Sequence, residues 1–174
     1  MKILVTGATS GLGRNAVQYL LQSGESVVAT GRNCEVGRSL TNAGAQFVAL
    51  DLTEASEDDC ARLMDGCDAV WHCAAKSSPW GDKTAFWLAN VKVTHTLAQA
   101  AGRLNIPRFI HISTPAVYFD FQHHNDLPET YLARAFSSHY ASSKYAAEQV
   151  IAGAVSRYSA TRFILLRPRG LFGP

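Results

Sequence analysis

The sequence predicts an α/β fold: a doubly wound parallel sheet of six strands in the order 3-2-1-4-5-6, with helices on both faces. Three observations carry this expectation. Near the N-terminus the apolar run Ile3, Leu4, Val5 passes through a glycine turn into an amphipathic segment, the pattern of a strand buried on both faces feeding a helix. Five further apolar runs follow, alternating with helical segments, and that alternation implies parallel strands joined by right-handed crossovers. The length, 174 residues, suffices for one real core and falls short of two ordinary ones, so residues 1–174 are expected to form one domain.

Composition narrows the function classes. A hydrophobic fraction of 47%, a charged fraction of 17% and a net charge of +2 indicate a globular protein without the basic excess of a nucleic-acid binder. Small molecules are the expected partners. Cys34, Cys60, Cys67 and Cys73 form no C-x-x-C pair, so neither a zinc site nor a disulfide framework is indicated and a reducing cytoplasm fits. One lysine and three apolar residues precede polar Thr6, which is no signal sequence, and no later run is long enough to cross a bilayer.

In chain order, the first strand ends in TGATSGLG. Gly7, Gly11 and Gly13 allow a sharp turn, a close backbone approach to a ligand and tight helix packing. The helix beginning near Gly11 turns Ala16, Val17, Leu20 and Leu21 inward, and its free N–H groups point at the turn, where a dinucleotide pyrophosphate would sit. Ser26 to Thr30 is the second strand. The residues after it choose the cofactor: an acid would bind a ribose 2′-hydroxyl, whereas Gly31-Arg32-Asn33 offers an arginine for a 2′-phosphate, so NADP is favoured over NAD. A solvated Arg32 is the plainer alternative, and Arg14 is a secondary candidate for the phosphate. Gln46 to Leu50 is the third strand, ending in Asp51-Leu52, where Asp51 either accepts a hydrogen bond from an adenine amine or caps the next helix with Glu54 in its first turn.

Asp68 to Cys73 is the fourth strand, followed by Ala74 and Ala75, whose small side chains leave room for a cofactor. His72, between Trp71 and Cys73, reads as a hydrogen-bonded core histidine. Ala85 to Leu104 has helical periodicity with Asn105 as its end signal. Arg108 to Ser113 is the fifth strand, with Thr114 at its crevice end. Residues 115 to 137 look irregular, and a loop of that length is usually functional or mobile. His123 and His124 within it read as solvated rather than metal-binding, since adjacent residues point apart in extended chain. Thr161 to Arg167 is the sixth strand.

Tyr140-Ala-Ser-Ser-Lys144 brings the chemistry. On a helix starting near Ser137 or Ser138, residues four apart share a face, so phenol and ammonium converge on one ligand. A neighbouring cation favours the phenolate, moving a group that ordinarily titrates at about pH 10 toward neutrality, where it can exchange a proton with a carbonyl oxygen.

TGATSGLG at 6–13, DL at 51–52, HCAA at 72–75, NVKVT at 90–94, HISTPAVY at 111–118, YASSK at 140–144 and LRPRGLFGP at 166–174 together resemble the short-chain dehydrogenase/reductase superfamily. The match is to its two-domain extended branch, the epimerase/dehydratase group, with a Rossmann domain. AAKSSPWG and the LRPR ending look most like the 3β-hydroxysteroid dehydrogenase-like and dihydroflavonol reductase-like reductases. The resemblance implies that Tyr140 exchanges the proton and that Lys144 holds the nicotinamide ribose and lowers the tyrosine pKa. It gives Thr114 the substrate oxygen, with Ser113 as fallback. The implied cofactor contacts are Gly7, Thr9, Ser10, Gly11, Leu12, Gly13, Arg32, Asp51, Leu52, Ala74, Ala75, Asn90, Tyr140, Lys144 and Pro168.

Two departures stand out. The extended branch spaces its glycines G-x-x-G-x-x-G, whereas Gly7, Gly11 and Gly13 have the single-domain spacing. Relatives also continue past the equivalent of Pro174 into a substrate domain, which this chain lacks. The expected activity is that of the dinucleotide-binding part of an NADP-dependent reductase or dehydrogenase acting on a carbonyl or alcohol. The alternatives are a sugar-nucleotide epimerase or dehydratase with bound NAD, and a non-catalytic NADP-binding module. The sixth strand would be an exposed edge inviting self-association, a homodimer included.

Overall fold

The computed structural model describes residues 1–171. The end of the LRPRGLFGP motif, residues 172–174, lies outside them. The elements are β1 (Lys2–Thr6), α1 (Gly11–Gln22), β2 (Ser26–Gly31), α2 (Cys34–Asn42), β3 (Gln46–Ala49), α3 (Glu57–Leu63), β4 (Ala69–His72), α4 (Lys83–Phe86), a π-helical stretch (Trp87–Lys92), α5 (Val93–Arg103), β5 (Arg108–Ile112), a 3-10 turn (Pro115–Tyr118), α6 (His139–Arg157) and β6 (Arg162–Leu166). All strands pair in parallel in the order β3-β2-β1-β4-β5-β6, as the alternation of apolar runs and helical segments predicts.

Side chains alternating along each strand feed two cores. Ile3, Val5, Val27 and Ala29 pack against Ala16, Val17 and Leu20 of α1 and Leu40 of α2. Leu4, Val28, Val70 and Phe109 face the other way, onto α3, α5 and α6. A sheet clothed on both faces leaves its strand ends accessible, and the crevice at their C-terminal ends is where such folds bind ligands.

Three local features go beyond the sequence reading. α2 carries no strong sequence signal. It forms because Asn33 caps it, its side chain accepting from the amides of Glu35 and Val36 at 3.0 and 3.1 Å. Gly37 makes room there for the Phe47 ring, which would stand 2.1 Å from an added Cβ. Asp51 does not cap the following helix. Ser56 does, in a reciprocal capping box with Asp59, while Asp51 closes a tight turn on Thr53. The helix expected over 85–104 starts at Lys83 and is interrupted by the π-helical stretch, where one extra residue per turn re-aims the side chains.

The 115–137 loop is tied down at several points. The Tyr131 hydroxyl and His124 both bond the Asp120 carboxylate, and Arg167 bonds the Tyr118 hydroxyl at 2.5 Å and the Glu129 carbonyl at 2.7 Å. His124 is therefore a hydrogen-bond partner of Asp120, and among the described residues no histidine, cysteine and carboxylate cluster could hold a metal. β6 pairs only with β5 among the described strands.

Candidate active site

A cleft of about 580 Å³ runs across the C-terminal ends of the strands. Its floor at one end is the glycine turn. Gly7 and Gly11 have φ of +66° and +46°, backbone that other residues adopt only with strain. Gly13 is required for contact: a Cβ there would lie 2.2 Å from the Gly7 carbonyl oxygen, so α1 can approach the strand end only through a glycine. The Ser10 side chain makes no cap bond, which leaves the first amides of α1 available to a ligand. Gly7, Thr9, Ser10, Gly11, Leu12 and Gly13 all line the cleft.

Arg32, Asp51 and Leu52 line the adjoining wall. The Arg32 guanidinium stands 3.6 Å from the Asp51 carboxylate, with its side chain 78% exposed. The Thr53 hydroxyl and amide hold the Asp51 carboxyl below its usual range, with Arg32 contributing less. Arg14 is exposed and does not line the cleft. Ala74 and Ala75 form the middle of the wall. Ala74 is anchored by its amide to the Thr6 hydroxyl at 3.2 Å, and the same hydroxyl bonds His72 Nδ1 at 2.8 Å. His72 Nε2 meets Thr94 at 2.9 Å. It is the core histidine expected, and burial, with Lys144 adding, lowers its pKa to about 3.

At the far end, Ser138 caps α6 through the Ala141 amide, and Tyr140 and Lys144, one turn apart, both face the cleft. Lys144 is 2% exposed. Its ammonium donates to the Ile112 carbonyl at 2.6 Å and lies 3.4 Å from His111 Nε2. Burial lowers its pKa to about 8, against the pull of Glu148.

Three predicted contacts are placed differently. Asn90, fully buried in the π-helical stretch, does not line the cleft. Its amide straps the Lys76 backbone, accepting from the amide at 2.7 Å and donating to the carbonyl at 3.1 Å, and also donates to Ser143 at 2.9 Å. It thus holds the wall formed by Lys76 and Ser77 against the helix that carries Tyr140. Thr114 also lies outside the lining. Its hydroxyl oxygen accepts from the Ala116 amide at 3.2 Å, which leaves its own proton free to donate. Ser113 does line the cleft, but its proton is committed to Glu148 at 2.5 Å, so it can only accept. That bond counts against Ser113 as the donor to a substrate oxygen. Pro168 is half-buried beyond β6 and is not part of the lining either.

The profile of the NAD dependent epimerase/dehydratase family matches residues 3–174. The chain belongs to that family. Among epimerase/dehydratase-family relatives, the uncharacterised protein YbjS of Escherichia coli (strain K12) is 49% identical over all of this chain and 52% of its own length. The 2-alkyl-3-oxoalkanoate reductase of Shewanella oneidensis is 33% identical over 98% of this chain and 44% of its own. Among solved structures, UDP-glucuronic acid 4-epimerase from Bacillus cereus, in complex with UDP-glucuronic acid and NAD, superposes with a TM-score of 0.82 at 27% identity, over 96% of this chain and 56% of that one. The chain thus spans about half the length of the curated relatives it matches. Its epimerase/dehydratase-family cleft has further lining beyond the predicted contacts: Gly31, Thr53, Lys76, Leu88, Ala89 and Ile112. Only Gly31, the last residue of β2 and the neighbour of Arg32, carried a visible signal.

Proposed function

We propose that this chain is the dinucleotide-binding part of an NADP-dependent reductase or dehydrogenase that acts on a carbonyl or alcohol carbon. The observation that carries the reading is the single cleft with the glycine turn at one end and Tyr140 and Lys144 at the other. The cradle fits a nicotinamide dinucleotide, because Gly7 and Gly13 let the turn pack backbone to backbone against Ala74 and the Gly7 carbonyl, which sets the uncapped first amides of α1 at the cleft. The turn amides would hold the pyrophosphate, Asp51 and Leu52 the adenine side, Arg32 the 2′-phosphate and Lys144 the nicotinamide ribose. Bound there, the cofactor would supply or accept the hydride.

The protein's own part is proton transfer and orientation. The Tyr140 hydroxyl donates a proton to the substrate oxygen, the Lys144 cation favours the phenolate left behind, and Thr114 offers its free hydroxyl proton to the same oxygen. Ala74 and Ala75 keep the wall low. The name of the Shewanella oneidensis relative points to a ketone as substrate. Four free cysteines suit a reducing, cytoplasmic setting, and no described helix is long and apolar enough to cross a membrane. The open edge of β6 is where a homodimer or the remaining half of a longer chain would add.

A second reading, a sugar-nucleotide epimerase with bound NAD, draws on the Arg32–Asp51 ion pair, which gives the guanidinium a partner other than a 2′-phosphate, and on the NAD in the Bacillus cereus structure. Steady-state NADPH oxidation across a ketone panel, by protein long enough to be active, tests the first reading. Turnover should be lost in Tyr140→Phe with cofactor affinity nearly unchanged, and turnover near the wild-type rate in that variant would refute the mechanism.

A further inference from the structure

Lys144 has a neighbour that the proposed mechanism does not use. His111 on β5 is fully buried, with Nε2 3.4 Å from the Lys144 ammonium nitrogen. Its Nδ1 is buried without a hydrogen-bond partner, although buried ring nitrogens ordinarily find one. We infer that His111 is a positioning residue for Lys144, a neutral imidazole whose tautomer follows the lysine's protonation state and which holds the amine at the cleft.

A neutral imidazole carries one proton on one of two nitrogens. Facing an ammonium, Nε2 must accept, so the proton sits on Nδ1 as a buried donor with no acceptor, a state that costs free energy. Facing a neutral amine, Nε2 can carry the proton and donate to Lys144, leaving on Nδ1 a lone pair. The orphaned Nδ1 therefore penalises the charged lysine relative to the neutral one. The remaining groups around the ammonium do not take over this role. Ile112 supplies a carbonyl that accepts from either state. On α6, Glu148 is committed to Ser113 and to two bonds from Arg167 at 2.9 and 2.6 Å, and Tyr140 lies one turn before Lys144. Cys73, after β4, has its thiol pushed up to about 12 by burial and so stays neutral. His72, whose ring centroid is 5.2 Å from that of His111, has both nitrogens occupied. Burial, with Lys144 and then His72 adding, keeps His111 itself well below its ordinary value, so it responds by changing tautomer and does not acquire a charge. A lysine poised in this way can give up a proton close to neutral pH, which bears on the reaction proposed above and rests on that reading of Tyr140 and Lys144.

The test is imidazole 15N NMR on the unmutated chain over pH 6 to 10, with the reactivity of Lys144 toward an acylating reagent followed by mass spectrometry on the same samples. His111 should be Nδ1-protonated at the acid end and Nε2-protonated at the alkaline end, changing over with the Lys144 titration. His111→Gln, which presents a fixed carbonyl acceptor, should raise the Lys144 midpoint by about one pH unit, and His111→Leu, which presents none, should lower it. One tautomer throughout, or the same lysine midpoint in all three proteins, would overturn the proposal. Reductase activity alongside a fixed tautomer would sink this inference and leave the functional reading standing; a tautomer change in a protein that transfers no hydride would do the reverse.

Discussion

A methyl group at Gly13 would collide with the Gly7 carbonyl at 2.2 Å, and rigid backbone on both sides cannot yield cheaply. Gly13→Ala should therefore destabilise the fold by about 1–3 kcal/mol and weaken dinucleotide binding at least tenfold, as read by chemical denaturation and calorimetric titration. Thr114 and Ser113 separate at the same scale. Thr114→Val removes a hydroxyl whose proton is free and should lower kcat by about 10²-fold. Ser113→Ala removes one already donated to Glu148 and should mainly change stability. The placement of the glycines, Tyr140 and Lys144 at the cleft was legible in the sequence because it depends on spacing within one turn. Asn90 and Ser113 were named from the sequence too, but their hydrogen-bond partners, at Lys76, Ser143 and Glu148, come from distant parts of the chain and only the fold reveals them.

Between elements, two buried polar ties set how stability responds to pH and mutation. His72 of β4 joins Thr6 of β1 to Thr94 of α5 and stays neutral in the fold, its pKa lowered to about 3 from 6.5. The unfolded chain takes up that proton first, so stability is intact above about pH 6.5 and is lost as pH falls toward 3, by up to about 5 kcal/mol. Denaturation melts between pH 8 and pH 3 should show the loss, and His72→Gln should flatten it. The Glu148–Arg167 pair fastens α6 to the chain beyond β6 and, through Tyr118 and Glu129, to the 115–137 loop. Arg167→Met leaves a buried carboxylate unpaired and should cost about 3–5 kcal/mol, measurable by urea unfolding. Element type was readable from periodicity. The π-helical interruption and the late start of α3 were not, since the first sits where Asn90 bonds the distant Lys76 and Ser143, and the second goes with Asp51 and Thr53 closing their own turn.

For the whole molecule, the order of the six strands followed from alternation and handedness, whereas cofactor choice turns on a balance that no single residue displays. On the proposed reading Arg32 would bind a 2′-phosphate, and Asp51 at 3.6 Å would compete for its guanidinium. NADPH should bind more tightly than NADH, with the preference disappearing in Arg32→Ala and growing in Asp51→Asn, as followed by calorimetry. The central claim is that hydride passes between this cleft and a carbonyl carbon, with Tyr140 supplying the proton. It is tested most directly by incubating active protein that carries this chain with NADPH deuterated at the nicotinamide C4 and a 2-alkyl-3-oxo acid, then weighing the product. The account predicts one deuterium per product molecule at the former carbonyl carbon, with none formed by Tyr140→Phe. Conversion of a substrate with no label in the product and no net NADPH consumed would contradict it.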